Sequence, residues 1–243
     1  MTIKSLFVSD VHLGSPHSQT QRFLEFLSSI DRPEKLYLIG DIVDSWKVRS
    51  WNEQCNEVVR TILAMAQSGT EVFYTAGNHD AVIRKLAHGF DFLQFDTLHI
   101  GDNFVHTTVD GKRLLVLHGD MFDLVSRHAK WLCKVGDIGY ELLMTANTGL
   151  NGIRKKFGRE THFSISKSIK RRVKHVCAFI SHYEEYLCRY ALSEGCDGCV
   201  CGHIHEPVIR TLDNGFLYCN SGDWMESCSA IIEDSQGRLM LHQ

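Results

Sequence analysis

The chain has 243 residues, of which 44% are hydrophobic and 23% are charged, which excludes disordered and collagen-like proteins. It contains no run of about 18 apolar residues, which excludes a membrane-spanning helix, and its first residues lack the features of a signal peptide. We therefore expect a cytoplasmic protein. The net charge is −3 but is unevenly distributed, so we also expect a local site for an anionic partner.

The first third of the chain alternates short apolar segments with amphipathic ones. Buried strands are predicted over Ser5–Ser9, Lys35–Ile39 and Glu71–Thr75, and helices over Gln19–Ile30 and Trp51–Gln67. This order of strands and helices implies a parallel sheet with right-handed crossovers. Each helix has apolar residues at helical spacing. They are Phe23, Leu24, Leu27 and Ile30 in the first helix, and Val58, Ile62, Leu63 and Ala66 in the second.

After this α/β segment the sequence predicts two hairpins separated by a helical insert. Strands Asn103–Val109 and Lys112–Leu117 flank Asp110-Gly111, which is a strong hairpin signal. Residues 124–192 are mainly helical in pattern. The later strands are Gly198–Cys201, Val208–Leu212, Phe216–Cys219 and Ala230–Glu233, with a turn at Asn214-Gly215. We therefore predict one α/β domain over residues 1–243 that carries a helical cap at about 124–192.

The predicted cap concentrates basic charge. Residues 154–174 contain nine basic residues and one acidic residue, so this segment carries +8 and the rest of the chain −11. Such a patch indicates a phosphate, nucleic acid or lipid headgroup as partner. The alternative is a solvated basic helix that packs through ordinary core residues. Nucleic acid is disfavoured, because no recognition fold is evident and the rest of the chain is acidic.

Five short motifs with carboxylate, amide and imidazole side chains stand at or just past the ends of predicted strands. Binding sites assemble at the carboxyl ends of strands in an open α/β sheet, and these ligand types suit divalent cations. On an extended backbone, each Asp-x-His or His-x-His pair would face one pocket. A single motif is explained by a helix cap or a satisfied buried histidine, but five together indicate a metal site. The motifs are Asp10-Val11-His12, Gly40-Asp41, Gly77-Asn78-His79-Asp80, His118-Gly119-Asp120 and Gly202-His203-Ile204-His205.

The order of these motifs resembles the calcineurin-like metallophosphoesterase superfamily over essentially the whole chain. The resemblance implies a two-sheet sandwich flanked by helices, with two divalent ions at its edge. It implies Mn²⁺, although nitrogen and oxygen ligands also suit Fe²⁺, Co²⁺ or Zn²⁺. It further implies that one ion is bound by Asp10, His12, Asp41 and His205, and the other by Asp41, Asn78, His118 and His203.

The same residues predict the chemistry of a two-metal hydrolase. Two ions that share a water lower its pKa and neutralise charge on the phosphoryl oxygens. Catalytic roles therefore fall to Asp41 and Asn78 as ligands, and to His79 as a charged donor or general acid toward the phosphate or leaving oxygen. The alternative for His79 is that it orients the neighbouring ligand.

A narrower resemblance is to the branch that contains UDP-2,3-diacylglucosamine diphosphatase. Residues 118–132 and 218–233 carry it, and His79 departs from it, because the best-known members have arginine there. It implies hydrolysis of the pyrophosphate of a nucleotide-linked lipid, with contact at the inner membrane surface. Candidate substrate-binding residues are Lys167 from this comparison, and Arg171 and Arg172 from the basic segment. The alternatives are a phosphodiesterase or phosphatase for a soluble nucleotide or other phosphoester, and a non-catalytic scaffold.

Two further segments each allow two interpretations. Cys196, Cys199 and Cys201 suggest a zinc knuckle, but a closed site needs four ligands, so buried reduced thiols are the better interpretation. The odd total of nine cysteines agrees. Asp223-Trp224 follows the sequence Asn220-Ser221-Gly222 at the end of a strand. It is either a structural turn or a border of the site.

Overall fold

A computed structural model describes residues 2–45, 50–80, 82–85, 94–95, 97–122 and 183–243. Two helices are described in full: α1 (Thr20–Ser29) and α2 (Glu53–Gln67). Residues 82–85 and 183–193 are also helical. The strands are β1 (Ile3–Val8), β2 (Lys35–Ile39), β3 (Glu71–Thr75), β4 (Gln94–Phe95), β5 (Leu98–Gly101), β6 (Asn103–Thr107), β7 (Arg113–Leu117), β8 (Gly198–Cys201), β9 (Val208–Thr211), β10 (Leu217–Asn220), β11 (Ala230–Asp234) and β12 (Leu239–His242).

These strands form two sheets, as predicted. One has the order β12-β11-β1-β2-β3-β5-β4 and the other the order β6-β7-β8-β10-β9. Strands β1, β2, β3 and β5 are mutually parallel where they pair, and β11 joins β1 antiparallel. Because the central strands run in one direction, their carboxyl ends meet at one edge of the sheet.

The space between the two sheets is filled by apolar and aromatic side chains. Phe7 of β1 stacks on Tyr37 of β2 with 4.7 Å between ring centroids, and both are buried. Strands covered on both faces need continuous apolar sequence, which is what β1 and β2 have. The buried members of this core are Phe7, Tyr37, Ile39, Leu114, Val116, Val200, Cys219 and Ile231.

A second core packs α1 and α2 against the other face of the larger sheet. Phe23 and Leu27 of α1 and Val58 of α2 are buried there, as predicted. Of the apolar residues at helical spacing in α2, Leu63 is 50% exposed, whereas Cys55 and Met65 are buried. The buried stripe of α2 follows residues 55, 58, 62 and 65, and Leu63 lies one residue, or about 100°, beyond it.

The predicted strand order and both predicted hairpins are confirmed, with differences at element ends. Strands β6 and β7 pair antiparallel, as do β9 and β10. The first turn is longer than predicted, because the Thr108 N–H donates to the Lys112 carbonyl and closes the turn before Val109. Strands β4, β5 and β12 were not predicted. They are short and lie at or beside the two edges of the larger sheet.

The chain divides into two compact units, Met1–Met121 with Leu187–Gln243, and Phe122–Tyr186. Residues 123–182 lie outside the described residues, and with them the basic segment and Lys167, Arg171 and Arg172. The single domain and the cap boundaries therefore stay predictions. In the described part of the chain, no helix is long and apolar enough to cross a membrane.

Leu27 of α1 and Leu63 of α2 differ in exposure, and matched substitutions test what this difference means for stability. Leu27 is 2% exposed and Leu63 is 50% exposed. We expect Leu27→Ala to lower the free energy of unfolding by about 2–5 kcal/mol through lost transfer energy and a cavity. Leu63→Ala should change it by no more than about 0.5 kcal/mol. Urea denaturation of metal-free protein measures both, and equal losses would contradict the packing described for α2.

Candidate metal centre

The five sequence motifs meet at the carboxyl edge of the sheets. Asp10 lies two residues after β1 and Asp41 two residues after β2, and the backbone joins their loops. The Asp10 N–H donates to the Gly40 carbonyl (3.0 Å), and the His12 N–H donates to the Asp41 carbonyl (2.9 Å). The loop after β8 is tied to the end of β7 in the same way, by the Gly202 N–H and the His118 carbonyl (3.3 Å). The structure therefore brings these loops together at one edge.

The backbone at this edge is not extended, which corrects one expectation from the sequence. Five candidate ligands adopt positive φ, a conformation that costs about 1–2 kcal/mol for an L-residue. Tight left-handed turns, and not the alternation of a strand, direct the paired side chains to one place. These residues are Asp10 (φ 52°), His12 (52°), Asp41 (52°), His203 (72°) and His205 (58°).

One cluster of ligand atoms is formed by Asp10, His12 and His205, whose atoms lie within 4.8 Å of one another. The His205 Nε2 is 3.2 Å from Asp10 Oδ1, and the His12 Nε2 is 3.9 Å from the same oxygen. Both Asp10 Oδ1 and His12 Nε2 are buried and have no hydrogen-bond partner among the described residues. Buried polar atoms without partners are costly, so this cluster suits a cation.

A second cluster is formed by Asp10, Asp41 and His118. The His118 Nδ1 lies 2.9 Å from the Ile39 carbonyl, which only accepts hydrogen bonds, so Nδ1 carries the hydrogen. The other ring nitrogen, Nε2, therefore points to Asp41 Oδ2 at 3.5 Å. Within the described part of the chain, His118 Nε2 also has no hydrogen-bond partner. Once Nε2 loses its proton, this arrangement presents a lone pair to a metal, as orienting carbonyls do in known metal sites.

Asp41 belongs to the second cluster and also faces His12 of the first. Its Oδ2 is 3.9 Å from the His12 Nε2 on one side and 3.5 Å from the His118 Nε2 on the other. Its Oδ1 accepts the His79 backbone N–H at 2.7 Å. The carboxylate is thus held by one oxygen while the other faces both sets of ligand atoms.

Asn78 and His203 are the two remaining predicted ligands. Asn78 Oδ1 is buried and has no hydrogen-bond partner among the residues described. The His203 ring lies 5.1 Å from the ring of His118, and its backbone N–H donates to Asp10 Oδ2 at 2.9 Å. Both residues are at the centre, while the assignment of ligands to individual ions stays a prediction.

A third cluster, His12, Asp44 and His79, includes a residue that the sequence analysis missed. Asp44 Oδ1 is 3.2 Å from the Nδ1 of His79, and Asp44 is buried. The only sequence signal was a second carboxylate three residues after Asp41. The Nε2 of His79 is 4.0 Å from Asp41 Oδ2, and the His79 side chain is 24% exposed. His79 therefore lies beside the centre and reaches solvent.

Two other motif carboxylates hold the loops together. Asp80 is buried and accepts the backbone N–H groups of Ile42, Val43 and Gly77, so it joins the second and third motifs. Asp120 forms an ion pair with Arg84 at 2.8 Å. These two carboxylates fix the loops that carry the site and are not among the predicted ligands.

Burial and neighbouring charges shift the protonation of the central groups. Burial alone would raise the pKa of Asp41, but the charge of the nearby His118 outweighs burial and lowers that pKa well below its usual value. Burial would lower the pKa of His118, but Asp41 raises it to about 10. At neutral pH the metal-free centre therefore holds a proton on His118. A divalent ion at Nε2 must displace that proton, because only the neutral imidazole binds metals.

Comparison with known proteins agrees with this geometry. The family model described as calcineurin-like phosphoesterase matches residues 3–207. The chain therefore belongs to the calcineurin-like phosphoesterase family, whose members are metal-dependent phosphoesterases, and the predicted fold class is confirmed.

Curated relatives extend the match over nearly the whole chain. A UDP-2,3-diacylglucosamine hydrolase of Xanthomonas axonopodis pv. citri is 27% identical over 249 residues, covering 96% of this chain and 96% of that protein. One from Aliivibrio fischeri is 26% identical over 259 residues, covering 100% and 98%. A solved structure of an archaeal phosphodiesterase is 15% identical with a TM-score of 0.49, covering 99% of both chains.

The close approach of the third motif to Asp41 can be tested at Gly77. A Cβ at this position would overlap the Oδ1 and the backbone nitrogen of Asp41. We expect Gly77→Ala to displace the Asp41 carboxylate and weaken Mn²⁺ binding at least about tenfold, since disturbed ligand geometry costs 10–100-fold in affinity. Calorimetric titration of chelator-stripped protein measures the change.

The matched control is Gly111→Ala in the first hairpin. Unlike Gly77, Gly111 has positive φ, but a Cβ there would meet nothing within 4 Å. It should cost about 1 kcal/mol of stability through backbone strain and leave Mn²⁺ binding intact. Unchanged affinity in Gly77→Ala protein that is folded by circular dichroism would refute the packing of this loop against Asp41.

Proposed function

We propose that this phosphoesterase uses two divalent ions to hydrolyse a phosphodiester or pyrophosphate bond, with UDP-2,3-diacylglucosamine or a similar nucleotide-linked lipid as substrate. The observation that carries the hydrolytic part is the convergence of buried ligand atoms that lack hydrogen-bond partners among the described residues. They are Asp10 Oδ1, His12 Nε2, Asn78 Oδ1 and His118 Nε2. The substrate class is supported by the relatives named UDP-2,3-diacylglucosamine hydrolase, which match nearly the full length of this chain.

The donor set fits divalent ions of borderline hardness, because it combines carboxylate and amide oxygens with imidazole nitrogens. In the proposed assignment Asp41 contributes to both sites, and Mn²⁺ is the ion. When bound, the two ions activate water for attack on phosphorus and neutralise charge on the phosphoryl oxygens. One ion would be held by Asp10, His12, Asp41 and His205, and the other by Asp41, Asn78, His118 and His203.

The residues of the chain supply the orientation that this chemistry needs. The Ile39 carbonyl keeps the hydrogen of His118 on Nδ1, so that Nε2 faces the centre. The His79 backbone N–H holds Asp41 by one oxygen. Each contact removes a rotational freedom before substrate arrives, which is the preorganisation on which electrostatic catalysis depends.

His79 is proposed to donate a proton or a charged hydrogen bond to the leaving oxygen. Asp44 at Nδ1 keeps a hydrogen there, and Nε2 then faces the centre with its own hydrogen when the ring is protonated. The Ser45 hydroxyl donates to the His79 carbonyl and holds the backbone of this residue. Partial exposure leaves His79 accessible to substrate. An orienting role alone would not require that exposure.

The lipid-linked substrate is proposed to bind the basic insert, where Lys167, Arg171 and Arg172 would contact its phosphates or headgroup. These residues lie outside the described residues. The support is the charge of residues 154–174, together with relatives that match this chain over nearly its full length. Peripheral contact with the inner membrane surface belongs to the same proposal, because basic segments bind anionic lipids.

The role of His79 is tested by its dependence on the leaving group. We expect His79→Ala to retain both metal ions but lower turnover by about 10²–10⁴-fold on nucleotide substrates, the usual contribution of a proton donor. A nitrophenyl leaving group needs little protonation, so its loss should be smaller. Asp44→Asn should show the same trend with a weaker effect. Equal losses for both leaving groups would contradict a general-acid role and favour charge stabilisation.

The substrate class is tested with Mn²⁺-loaded protein on UDP-2,3-diacylglucosamine, a simple nucleotide pyrophosphate and a chromogenic bis-ester. Replacing Arg171 and Arg172 by glutamine should raise KM for the lipid substrate about tenfold or more, since a charge-assisted hydrogen bond contributes about 1.5–3 kcal/mol. The small ester should be little affected.

The control for charge alone is the double replacement of Arg60 and Lys112 by glutamine, because both are exposed ion-pairing residues outside the insert. It should change neither KM. Preference for the soluble nucleotide, or equal effects of the insert variant on all substrates, would replace the lipid assignment with a soluble phosphoester.

A further inference from the structure

The turn after β10, residues 222–227, is built around one buried carboxylate. Asp223 is 1% exposed, and its Oδ1 accepts the backbone N–H groups of Met225 (2.7 Å), Glu226 (2.5 Å) and Ser227 (3.3 Å). The Ser227 hydroxyl lies 3.2 Å from Oδ2. These bonds fix the direction of the carboxylate, so Oδ2 cannot turn away from what it faces.

That oxygen faces a proposed metal ligand. Asp223 Oδ2 is 3.7 Å from the Nδ1 of His205, and the opposite nitrogen of the same ring is 3.2 Å from Asp10 Oδ1. The separation of 3.7 Å is longer than a hydrogen bond, but the side chain of Asp223 is only 2% exposed, so its charge is poorly screened. The His205 ring thus lies between two carboxylates, one on each nitrogen.

The same turn also holds the backbone of Asp10. The Trp224 N–H donates to the Asp10 carbonyl at 3.1 Å. The Trp224 ring is buried against Phe23 and Phe26 of α1, at 4.7 and 5.0 Å between centroids. The turn is therefore anchored in the core and meets the proposed metal site at two of its ligands.

We propose that Asp223 is a positioning residue that keeps a hydrogen on His205 Nδ1 and leaves Nε2 directed at the metal site. This inference rests on the proposed function, because it takes His205 as a ligand. A carboxylate on the second nitrogen of a ligating imidazole fixes the ring orientation and strengthens the ligand. The alternative is that Asp223 serves the turn alone, through its bonds to backbone N–H groups.

Asp223→Asn separates these two roles. The amide oxygen can still accept the backbone N–H groups, but an NH₂ group replaces the oxygen that faces His205. We expect the thermal unfolding of metal-free protein to change little, while the Kd for one of two Mn²⁺ ions rises about 10–100-fold. Ser229→Ala is the matched control, because it removes the hydrogen bond from the Ser229 hydroxyl to the Ser221 carbonyl beside the turn and leaves every hydrogen bond of the Asp223 carboxylate in place. It should leave both Kd values unchanged.

A double-variant cycle shows whether Asp223 acts through His205. In a His205→Ala background, Asp223→Asn should cause no further loss of Mn²⁺ affinity, since interacting residues are not additive. Independent, additive losses, or an equal loss in Ser229→Ala protein, would overturn the inference. Unchanged Mn²⁺ binding in Asp223→Asn protein would refute this inference alone. Wild-type protein that binds no Mn²⁺ would refute the proposed function, and this inference with it.

Discussion

The buried carboxylate of Asp41 is the constraint on which the rest of the centre depends. A charge removed from water is costly unless hydrogen bonds and opposite charge compensate it. Asp41 is 2% exposed, and it obtains that compensation from the His79 N–H and from the imidazole of His118. These groups come from the loops after β3 and β7, so both loops must close on the loop after β2. The Asp41 charge therefore requires the convergence that makes a metal site.

The rigid strands before these loops stabilise the strained backbone at the site. The strained positions at Asp10, His12 and Asp41 follow strands whose residues are buried on both faces, so the sheet holds the ends of each loop. Asp80 then joins two of the loops by accepting three backbone N–H groups. Strain at a functional site persists only where the surroundings determine the conformation completely. The rigid core thus fixes the positions of the side chains at the site.

The centre also has an outer layer of carboxylates that contact imidazoles. Asp44 approaches His79, and Asp223 approaches His205. In both pairs the carboxylate is more buried than the ring, so the acid is fixed and the histidine is the group that reaches the site. Each carboxylate lies at Nδ1 of its histidine and orients the ring. It does not occupy Nε2, which is the nitrogen that each ring presents to the site.

The sequence by itself determined most strands of the two sheets, both hairpins and the strand ends at which the motifs stand, because apolar runs and turn residues are local signals. It placed Asp10, Asp41 and His118 at one edge for that reason. It did not show the left-handed backbone at these residues, the exposure of Leu63, or the partners of His79 and His205. Asp44 is 35 residues from His79 along the chain, and no spacing rule relates them. Such contacts depend on loop dihedral angles and on the register between strands, which only the packed tertiary structure decides.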